Sequence, residues 1–388
     1  MKICIVGSSK RFFSGLTTHT IFLANALAAR GHEVSMVNLR NLVPLFLYPG
    51  RTRVGKGEYM VDYAPDVQVY DGMDWNSPRT WLGAVRFIKE QRLDAMIMLW
   101  WTSAVAHMQF FLALSSRLNG RPHLIMEMHE VVDPLEEKIL PIRLYSRLAG
   151  RVLIRQFDAY TTPSADVNKK VCSTYGIPAE KVHVVPIGVY EQYTGVHRDE
   201  ARKKLGVEGF VILHFGMIRQ YKGIPLLIKA FDLLPAEIAE KSLLVIAGED
   251  WGDDPKLKPA IDSSKYRHRI IFRPYFVPDA EVPVYFAAAD VVVLPYLRTC
   301  GSGVAHIAIA NGKPIISADL PPMRECLREY EGASFFPAGD TEVLKEMLQK
   351  AFYRWQKEGH RQYTFNNPNW DDIAKRYEEI ISSLRTKQ

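Results

Sequence analysis

A chain of 388 residues is longer than one hydrophobic core usually serves, so two domains of roughly 150–200 residues are expected. With 47% hydrophobic and 24% charged residues it has the composition of a globular chain and not of a disordered or fibrous one. Four dispersed cysteines, Cys4, Cys172, Cys300 and Cys326, argue against a disulfide framework and a CxxC zinc site, and a net charge of +6 is too weak to point to nucleic acid.

The charge is uneven. Residues 1–190 hold 22 Lys and Arg against 16 Asp and Glu, while the rest of the chain balances 27 against 27. A mild amino-terminal excess suits an anionic small partner or a membrane surface. The opening run "ICIVG" is too short for a signal-peptide core, and a reducing cytoplasm is the expected compartment.

In chain order, "KICIVG" leads to the helix "LTTHTIFLANALAARG", closed by Gly31, and to the strand "EVSMVNL", a βαβ opening that implies a parallel doubly wound sheet. The turn between them has Gly7 after a strand and Ser14, Gly15 and Leu16 at a helix start. Its amides could face an acceptor or a phosphate, or Gly15 could serve close packing. The spacing is not GxGxxG and "VNLR" closes the second strand without an acid, which argues against a nicotinamide dehydrogenase.

Residues 41–80 read as one long loop carrying prolines, aromatics, Arg51, Arg53 and Lys56, either a partner-binding flap or a mobile insertion. Ala95 to Ser116 contains no Asp, Glu, Lys or Arg and is long enough to cross a bilayer. It divides, however, into the strand "AMIMLWW" and a helix containing His107 and Gln109.

"HLIMEMH" ends with Glu127 and His129 at its carboxyl edge, followed by Glu130 and Asp133. That cluster could bind metal, but without a second histidine four residues away on a helix a zinc motif is unsupported, and His129 suits substrate hydrogen bonding or charge stabilisation at a cleft edge better. "KILPIRLYSRLAGRVLIRQF" sets Arg143, Arg147, Arg151 and Arg155 four apart beside Ile142, Leu148, Val152 and Leu153. That pattern fits a helix on an anionic bilayer and equally an ordinary surface helix. "DAYTTPS" and "KVHVVPIG" complete the first set of strands, and a polar segment at 188–207 reads as a linker.

A second alternation follows: "FVILHFG", "IPLLIKAFDLL", "SLLVIAG", "RIIFRPY", "ADVVVLP", "KPIISAD" and "ASFFPAG". The expected architecture is therefore α/β, with two Rossmann-like doubly wound parallel-sheet domains facing each other across a cleft, residues 1–190 and 205–365, and ligands at the carboxyl ends of the strands. Arg219 and Lys222, in the turn after the first strand of the second domain, are placed to neutralise a diphosphate. Asp250, Asp253 and Asp254 could hold a phosphate-bound divalent ion, or simply be solvated. "RTCGSGVAHIAIANGKP" has two glycines around Ser302 and no acidic residue. It reads either as a backbone-amide cradle for phosphate or as a serine cap on a buried helix.

Taken in order, "SGLTTHTIFLANALAARGHEV", "HFGMIRQYKGIPLLIKAF", "LLVIAGED", "YFAAADVVVLPY", "GKPIISADLPPMRECL" and "NWDDIAKRYEEII" resemble the retaining family 4 glycosyltransferases of the GT-B fold over nearly the whole chain. The resemblance implies transfer of a hexose from a nucleotide-diphosphate sugar held by the second domain to an acceptor held by the first, with retention and no metal. It also implies that residues 366–388 cross back to the first domain. His129 falls at the family's histidine that contacts the donor sugar, and Lys222 matches its phosphate-binding lysine. Met217 stands at the usual arginine, with Arg219 taking that role from a shifted position. Gly216, Gly248, Glu249, Thr299, Cys300, Gly301, Ser302, Gly303, Val304 and Glu325 complete the implied donor site.

The departures are specific. Thr299 and Ile307 occupy the places of the family's two glutamates eight residues apart, and "ADLPPMRE" has prolines where glycines are frequent. Donor identity, whether a GDP-, UDP- or ADP-sugar, therefore does not carry over. The pattern resembles a subgroup that lacks the glutamate pair. Two alternatives stay open: a catalytically silent nucleotide-sugar-binding partner subunit, and a nucleotide-sugar 2-epimerase that would release a free sugar without an acceptor. The expected acceptor is a glycan, a lipid-linked glycan or a small molecule. The expected location is cytoplasmic, peripheral at the inner membrane face, with no nucleic acid partner.

Overall fold

The computed structural model describes residues 1–12, 14–42, 54–55, 59–102, 105–129, 150 and 152–386. It divides into two compact units: Met1–Gly188 with Pro368–Gln388, and Val189–Asn367. The terminal segment thus belongs to the first unit. Its helix, Trp370–Arg385, opens on a capping box between Asn369 and Asp372 and buries Trp370, Ile373, Tyr377 and Ile381. On its outer side Arg30 grips Glu378 with two parallel bonds of 2.8 and 2.9 Å.

The first unit is built on a seven-stranded sheet in the order β3-β2-β1-β4-β5-β6-β7. The strands are β1 Lys2–Ser8, β2 Glu33–Asn41, β3 Gln68–Asp74, β4 Ala95–Trp100, β5 His123–Met128, β6 Ala159–Thr162 and β7 Val182–Val184. β1, β4 and β5 read as continuous apolar runs because helices cover both faces of a parallel sheet, and their residues are almost all buried. The stretch from Ala95 to Ser116 is accordingly a strand followed by the helix Ala106–Leu118. Among the described residues no helix is long and apolar enough to cross a membrane.

Two expectations need correction. The long loop at 41–80 contains β3 and the start of the helix Pro78–Gln91. β3 is an edge strand whose burial runs from exposed at Gln68 to buried at Asp74, so it lacks the apolar signature of its neighbours. Part of what remains is anchored, since the Tyr59 hydroxyl donates to the Phe12 carbonyl at 2.9 Å and Ala64 N to Asn25 Oδ1 at 2.8 Å. Arg51, Arg53 and Lys56 lie outside the described residues. The stretch read as a linker also folds: Arg198–Leu205 is a helix of the second unit.

The second unit carries a six-stranded parallel sheet in the order β10-β9-β8-β11-β12-β13. Its strands are β8 Phe210–Phe215, β9 Ser242–Ala247, β10 Ile270–Arg273, β11 Val291–Leu294, β12 Ile315–Ala318 and β13 Ala333–Phe336. In each sheet the chain order reverses beside the first strand, between β1 and β4 and between β8 and β11. The crevice outside the carboxyl ends of strands at such a switch point is where open α/β sheets bind ligands.

Candidate functional site

In the second unit the turn after β8 and the loop after β11 meet at the switch point. Gly223 makes this possible: its φ is +67°, and a Cβ there would stand 2.0 Å from the Pro295 carbonyl oxygen. Leu297 N donates to the Tyr221 carbonyl at 2.8 Å across the same junction. Lys222 is thereby buried to 8% exposure, with its ammonium 3.8 Å from the centre of the Tyr296 ring. The Tyr296 hydroxyl in turn meets Ser302 Oγ at 3.1 Å. Gly223→Ala combines backbone strain with a clash on a carbonyl, and is expected to cost roughly 3 kcal/mol or more of stability, read as a fall in thermal unfolding temperature.

Ser302 caps the helix Gly303–Ala310 by accepting from Ala305 N at 3.2 Å. The cap takes the third amide and leaves the first two, Gly303 and Val304, at the positive end of the helix. Thr299 is also engaged internally, its Oγ1 accepting from Gly301 N at 3.1 Å. The two hydroxyls read as ligand contacts therefore shape the loop, and the backbone is what it presents. Cys300 is half-buried in the same loop, and Ile307 lies with 9% exposure on the helix.

Gly216 and Gly248 close the floor. Gly248 has φ +149°, and a Cβ on it would stand 1.9 Å from the Gly216 carbonyl, while a Cβ on Gly216 would touch Val304 Cγ2 at 3.1 Å. The turn after β8 is welded to the loop after β9, with Ile218 N donating to the Glu249 carbonyl at 2.9 Å. Arg219 stands in this weld. Its Nε bonds Asp253 Oδ2 at 2.5 Å and its guanidinium lies 4.6 Å from the Trp251 ring, whose Nε1 donates to Glu249 Oε2 at 3.0 Å. Met217, beside it, is 40% exposed.

The acidic run is structural: Asp253 also takes the Gln220 amide, Asp250 the Gly252 amide and Asp254 the Lys256 amide. Among the described residues these aspartates form no cation-binding group. Glu325 is half-buried on the helix Pro321–Cys326 after β12.

In the first unit the turn after β1 separates its two glycines by role. A Cβ on Gly7 would strike Thr20 Cγ2 at 2.7 Å, whereas one on Gly15 would meet nothing within 4 Å. Gly7 is thus the packing glycine, and Gly15 is exposed at the start of its helix. Ser14 caps that helix by accepting from Thr17 N at 3.2 Å, and Leu16 follows half-buried.

His129 follows β5 directly, its amide bonded to the Trp100 carbonyl at 2.9 Å. Its Nε2 stands 3.4 Å from Glu127 Oε1, and the same oxygen meets His19 Nε2 at 2.7 Å. Burial alone would raise the Glu127 carboxyl, but the proximity of His19 and His129 outweighs it and holds the group well below the usual carboxylate range. Glu130, Asp133, Arg143, Arg147 and Arg151 lie outside the described residues. Arg155 is exposed and Val152 is 45% exposed, whereas Leu153 and Ile154 are buried in their own unit, so that end of the basic ridge packs inward.

Sequence reasoning missed His19, Trp370, Tyr377, Trp251 and Tyr296. His19 was within reach as the one imidazole on a helix that otherwise buries small and apolar residues. The others depend on which strands become neighbours.

Two Rossmann-like units of this topology in one chain, with the terminal helix returned to the first, constitute the GT-B architecture of glycosyltransferases. Residues 13–193 match the model of Glycosyltransferase Family 4, and residues 197–359 that of Glycosyl transferases group 1. The chain belongs to the family 4-like glycosyltransferases of the GT-B fold.

Relatives include an uncharacterised glycosyltransferase of Methanocaldococcus jannaschii, 28% identical over 55% of this chain and 57% of that protein. A D-inositol 3-phosphate glycosyltransferase of Catenulispora acidiphila is 28% identical over 61% and 60% of the two chains. The matches thus span somewhat under two thirds of those relatives' lengths. Among solved structures, sucrose-phosphate synthase from Thermosynechococcus elongatus is similar with a TM-score of 0.70 at 14% identity, covering 100% of this chain and 99% of that one. Anabaena HepE in complex with UDP-glucose is similar with a TM-score of 0.64 at 17% identity, covering 100% and 99%.

Proposed function

We propose that the protein is a retaining hexosyltransferase that moves a sugar from a nucleotide-diphosphate donor to a glycan, lipid-linked or small-molecule acceptor. The observation that carries this reading is the junction of the β8 turn with the capped helix after β11. It puts a buried ammonium, an arginine and two helix-end amides around one switch point. Such a set offsets the negative charge that grows on a departing nucleoside diphosphate. That HepE has been solved with UDP and with UDP-glucose supports a nucleotide-sugar donor for this chain.

In this reading Lys222 and Arg219 neutralise the diphosphate, with Arg219 keeping its Nη groups for the ligand while Asp253 fixes its Nε. Gly303 and Val304 supply amides, and Gly216, Gly248 and Glu249 shape the floor. His129 contacts the donor sugar, and the exposed start of the helix at Ser14, Gly15 and Leu16 borders the acceptor. The acceptor attacks from the face that the diphosphate leaves, without an enzyme nucleophile, and turnover needs no metal. The protein works in the cytoplasm, in peripheral contact with an anionic membrane.

Thermal unfolding against a panel of GDP-, UDP- and ADP-sugars tests the donor site. One nucleotide is expected to raise the transition by an amount equivalent to about 2.7 kcal/mol when present at about 100 times its dissociation constant. Absence of a shift with every nucleotide sugar would sink the reading. Release of a free epimerised sugar in place of transfer would sink it in favour of an epimerase. Specific binding with no turnover on any acceptor would favour a silent partner subunit.

A further inference from the structure

We propose that the amino edge of the second unit's sheet carries a binding site for a sugar phosphate, separate from the switch-point junction. The site uses none of the residues on which the transferase reading rests, and it lies at the opposite end of the same strands.

The sheet order brings its groups together. Arg269 immediately precedes β10, Lys241 precedes β9, Glu208 and Gly209 precede β8, and Asp290 precedes β11. The order β10-β9-β8-β11 therefore sets these residues side by side along one edge. Neighbouring strands are about 4.8 Å apart, so adjacent members fall within reach of one small ligand. Gly209 lets the rim close up: its φ is +72°, and a Cβ there would stand 2.3 Å from the Lys241 carbonyl oxygen. The Phe210 amide donates to that same carbonyl at 2.9 Å.

A groove of about 730 Å³ opens over this edge, within the roughly 300–1,000 Å³ usual for small-ligand sites. One wall comes from the last turns of the helix Thr341–Glu358. Phe352 is buried against Phe210, with ring centroids 5.7 Å apart. Trp355 packs on both rings, at 5.5 Å from Phe210 and 5.7 Å from Phe352, yet stays half-buried, so part of its indole borders the groove. Gln356, the next residue, is exposed on the same wall.

Charge is distributed along the groove by strand. At the β9–β10 end two cations stand together. Arg269 Nε donates to the Ser242 carbonyl at 2.8 Å, which anchors the guanidinium beside Lys241. Lys241 itself is exposed and makes no ion pair among the described residues. Glu240, the acid next to it, is engaged by His268 Nε2 at 3.0 Å. At the β11 end Arg198 is held by Asp290, its Nη2 donating at 2.7 Å. Glu208 lies between the two ends, exposed and likewise without an ion pair among the described residues.

This arrangement selects a ligand class. A phosphate monoester belongs at Lys241 and Arg269, where two cations meet it without a free competing acid. Glu208 would repel a second phosphate, but its carboxylate accepts from hydroxyls, and the Gln356 amide both donates and accepts. The open part of the Trp355 indole suits the C–H face of a sugar ring. Inorganic phosphate would use the cations alone. A hexose phosphate uses the cations, the hydroxyl-binding pair and the ring at once.

Isothermal titration calorimetry of the full chain tests this, with glucose 6-phosphate and mannose 6-phosphate as probes and inorganic phosphate, glucose and adenosine 5′-monophosphate for comparison. At least one hexose phosphate is expected to bind saturably, more tightly than any of the three comparison compounds. Lys241→Glu changes an exposed side chain and should weaken that binding by about tenfold or more, the loss of a charge-assisted contact. It should leave the thermal shift produced by nucleotide sugars unchanged. Trp355→Leu should also weaken hexose phosphate binding, and Lys241→Glu keeps the test decisive even if the tryptophan variant does not fold.

No saturable binding of either hexose phosphate would overturn the proposal. So would equal or tighter binding of inorganic phosphate or of adenosine 5′-monophosphate, or a folded Lys241→Glu that binds the hexose phosphate as the wild type does. Hexose phosphate binding that is sensitive to Lys241→Glu, in a protein that no nucleotide sugar stabilises, would uphold this site and refute the transferase reading.

Discussion

Lys222→Met is expected to lower turnover about 100- to 1000-fold while leaving the protein folded, the size of effect seen when one preorganised donor is removed from a developing anion. Methionine retains most of the aliphatic stem that lies against the Tyr296 ring, so the comparison isolates the charge. Lys222→Ala should lose the same activity and additional stability, because it also empties a site with only 8% exposure.

Two neighbouring bases, His214 and Arg219, are poorly placed to take over the charge. His214 lies behind the lysine, fully buried, with Nδ1 at 3.1 Å from the Val293 carbonyl. Burial first, and then the Lys222 charge, bring it down to about 3, and burial persists when the lysine is gone. Arg219 is tied to Asp253 and Trp251 and has its own place in the turn. Steady-state rates with the donor identified by thermal shift decide the matter. A Met variant within tenfold of wild type would remove Lys222 from the chemistry.

What could be read from the residues follows from where the physical signal lies. Buried parallel strands such as "KICIVG", "FVILHFG" and "ADVVVLP" announce themselves because both faces need apolar side chains. β3, with exposed Gln68, Val69 and Asp71, does not, because only one side of an edge strand is packed. The helix Arg198–Leu205 was hidden in a charged run with one buried residue, Ala201. Its meaning lies in what its arginines reach.

The site was legible where one segment contains the geometry. A glycine before "IPLLIKAF" and a serine before "GVAHIAIA" are local signals, and the structure uses them as a left-handed turn and a cap. It was not legible where the partners come from distant segments. Glu127 shows as an odd acid in an apolar strand, but nothing in its neighbourhood reveals that His19, more than a hundred residues earlier, meets its carboxyl at 2.7 Å. Likewise "GEDWGDDP" looks like a metal loop until Asp253 is seen to hold Arg219.

Asp290→Ala should produce a large loss of stability in the second unit. The residue stands at the amino end of β11 with a side chain 1% exposed. It accepts from Arg198 Nη2 at 2.7 Å, Arg202 Nη1 at 3.1 Å and the Val211 amide at 2.8 Å, with His360 Nδ1 at 3.8 Å. Lys313 is close enough to feel the same charge. Its ammonium is bonded to the Ala287 and Ala289 carbonyls at 3.1 and 3.0 Å. Burial, opposed by Asp290 and reinforced by Arg198 and Arg202, brings it down to about 7.

Removing the carboxylate leaves this group of bases without a counter-charge, which for a buried pair costs about 3–5 kcal/mol. Arg198 and Arg202 are 26% and 12% exposed and can recover some water, so the lower end, about 3 kcal/mol, is expected. At about 2–4 °C per kcal/mol for a unit of this size, the thermal transition should fall by roughly 6–12 °C. Asp290→Asn keeps an acceptor for Val211 and should fall less.

The pH dependence has a definite sign. Burial by itself would raise the Asp290 carboxyl, but contact with His360, the Val211 amide and Arg198 outweighs it and brings the group down to about 2 from an ordinary 3.8. A carboxyl depressed in the folded state contributes stability above its unfolded value and loses it as pH falls through the folded one. The carboxylate's own share of the gap between wild type and Asp290→Ala should therefore persist down to about pH 4 and narrow only toward about 2. A gap that closed already near pH 6 would assign the stabilisation to an imidazole and not to this carboxylate.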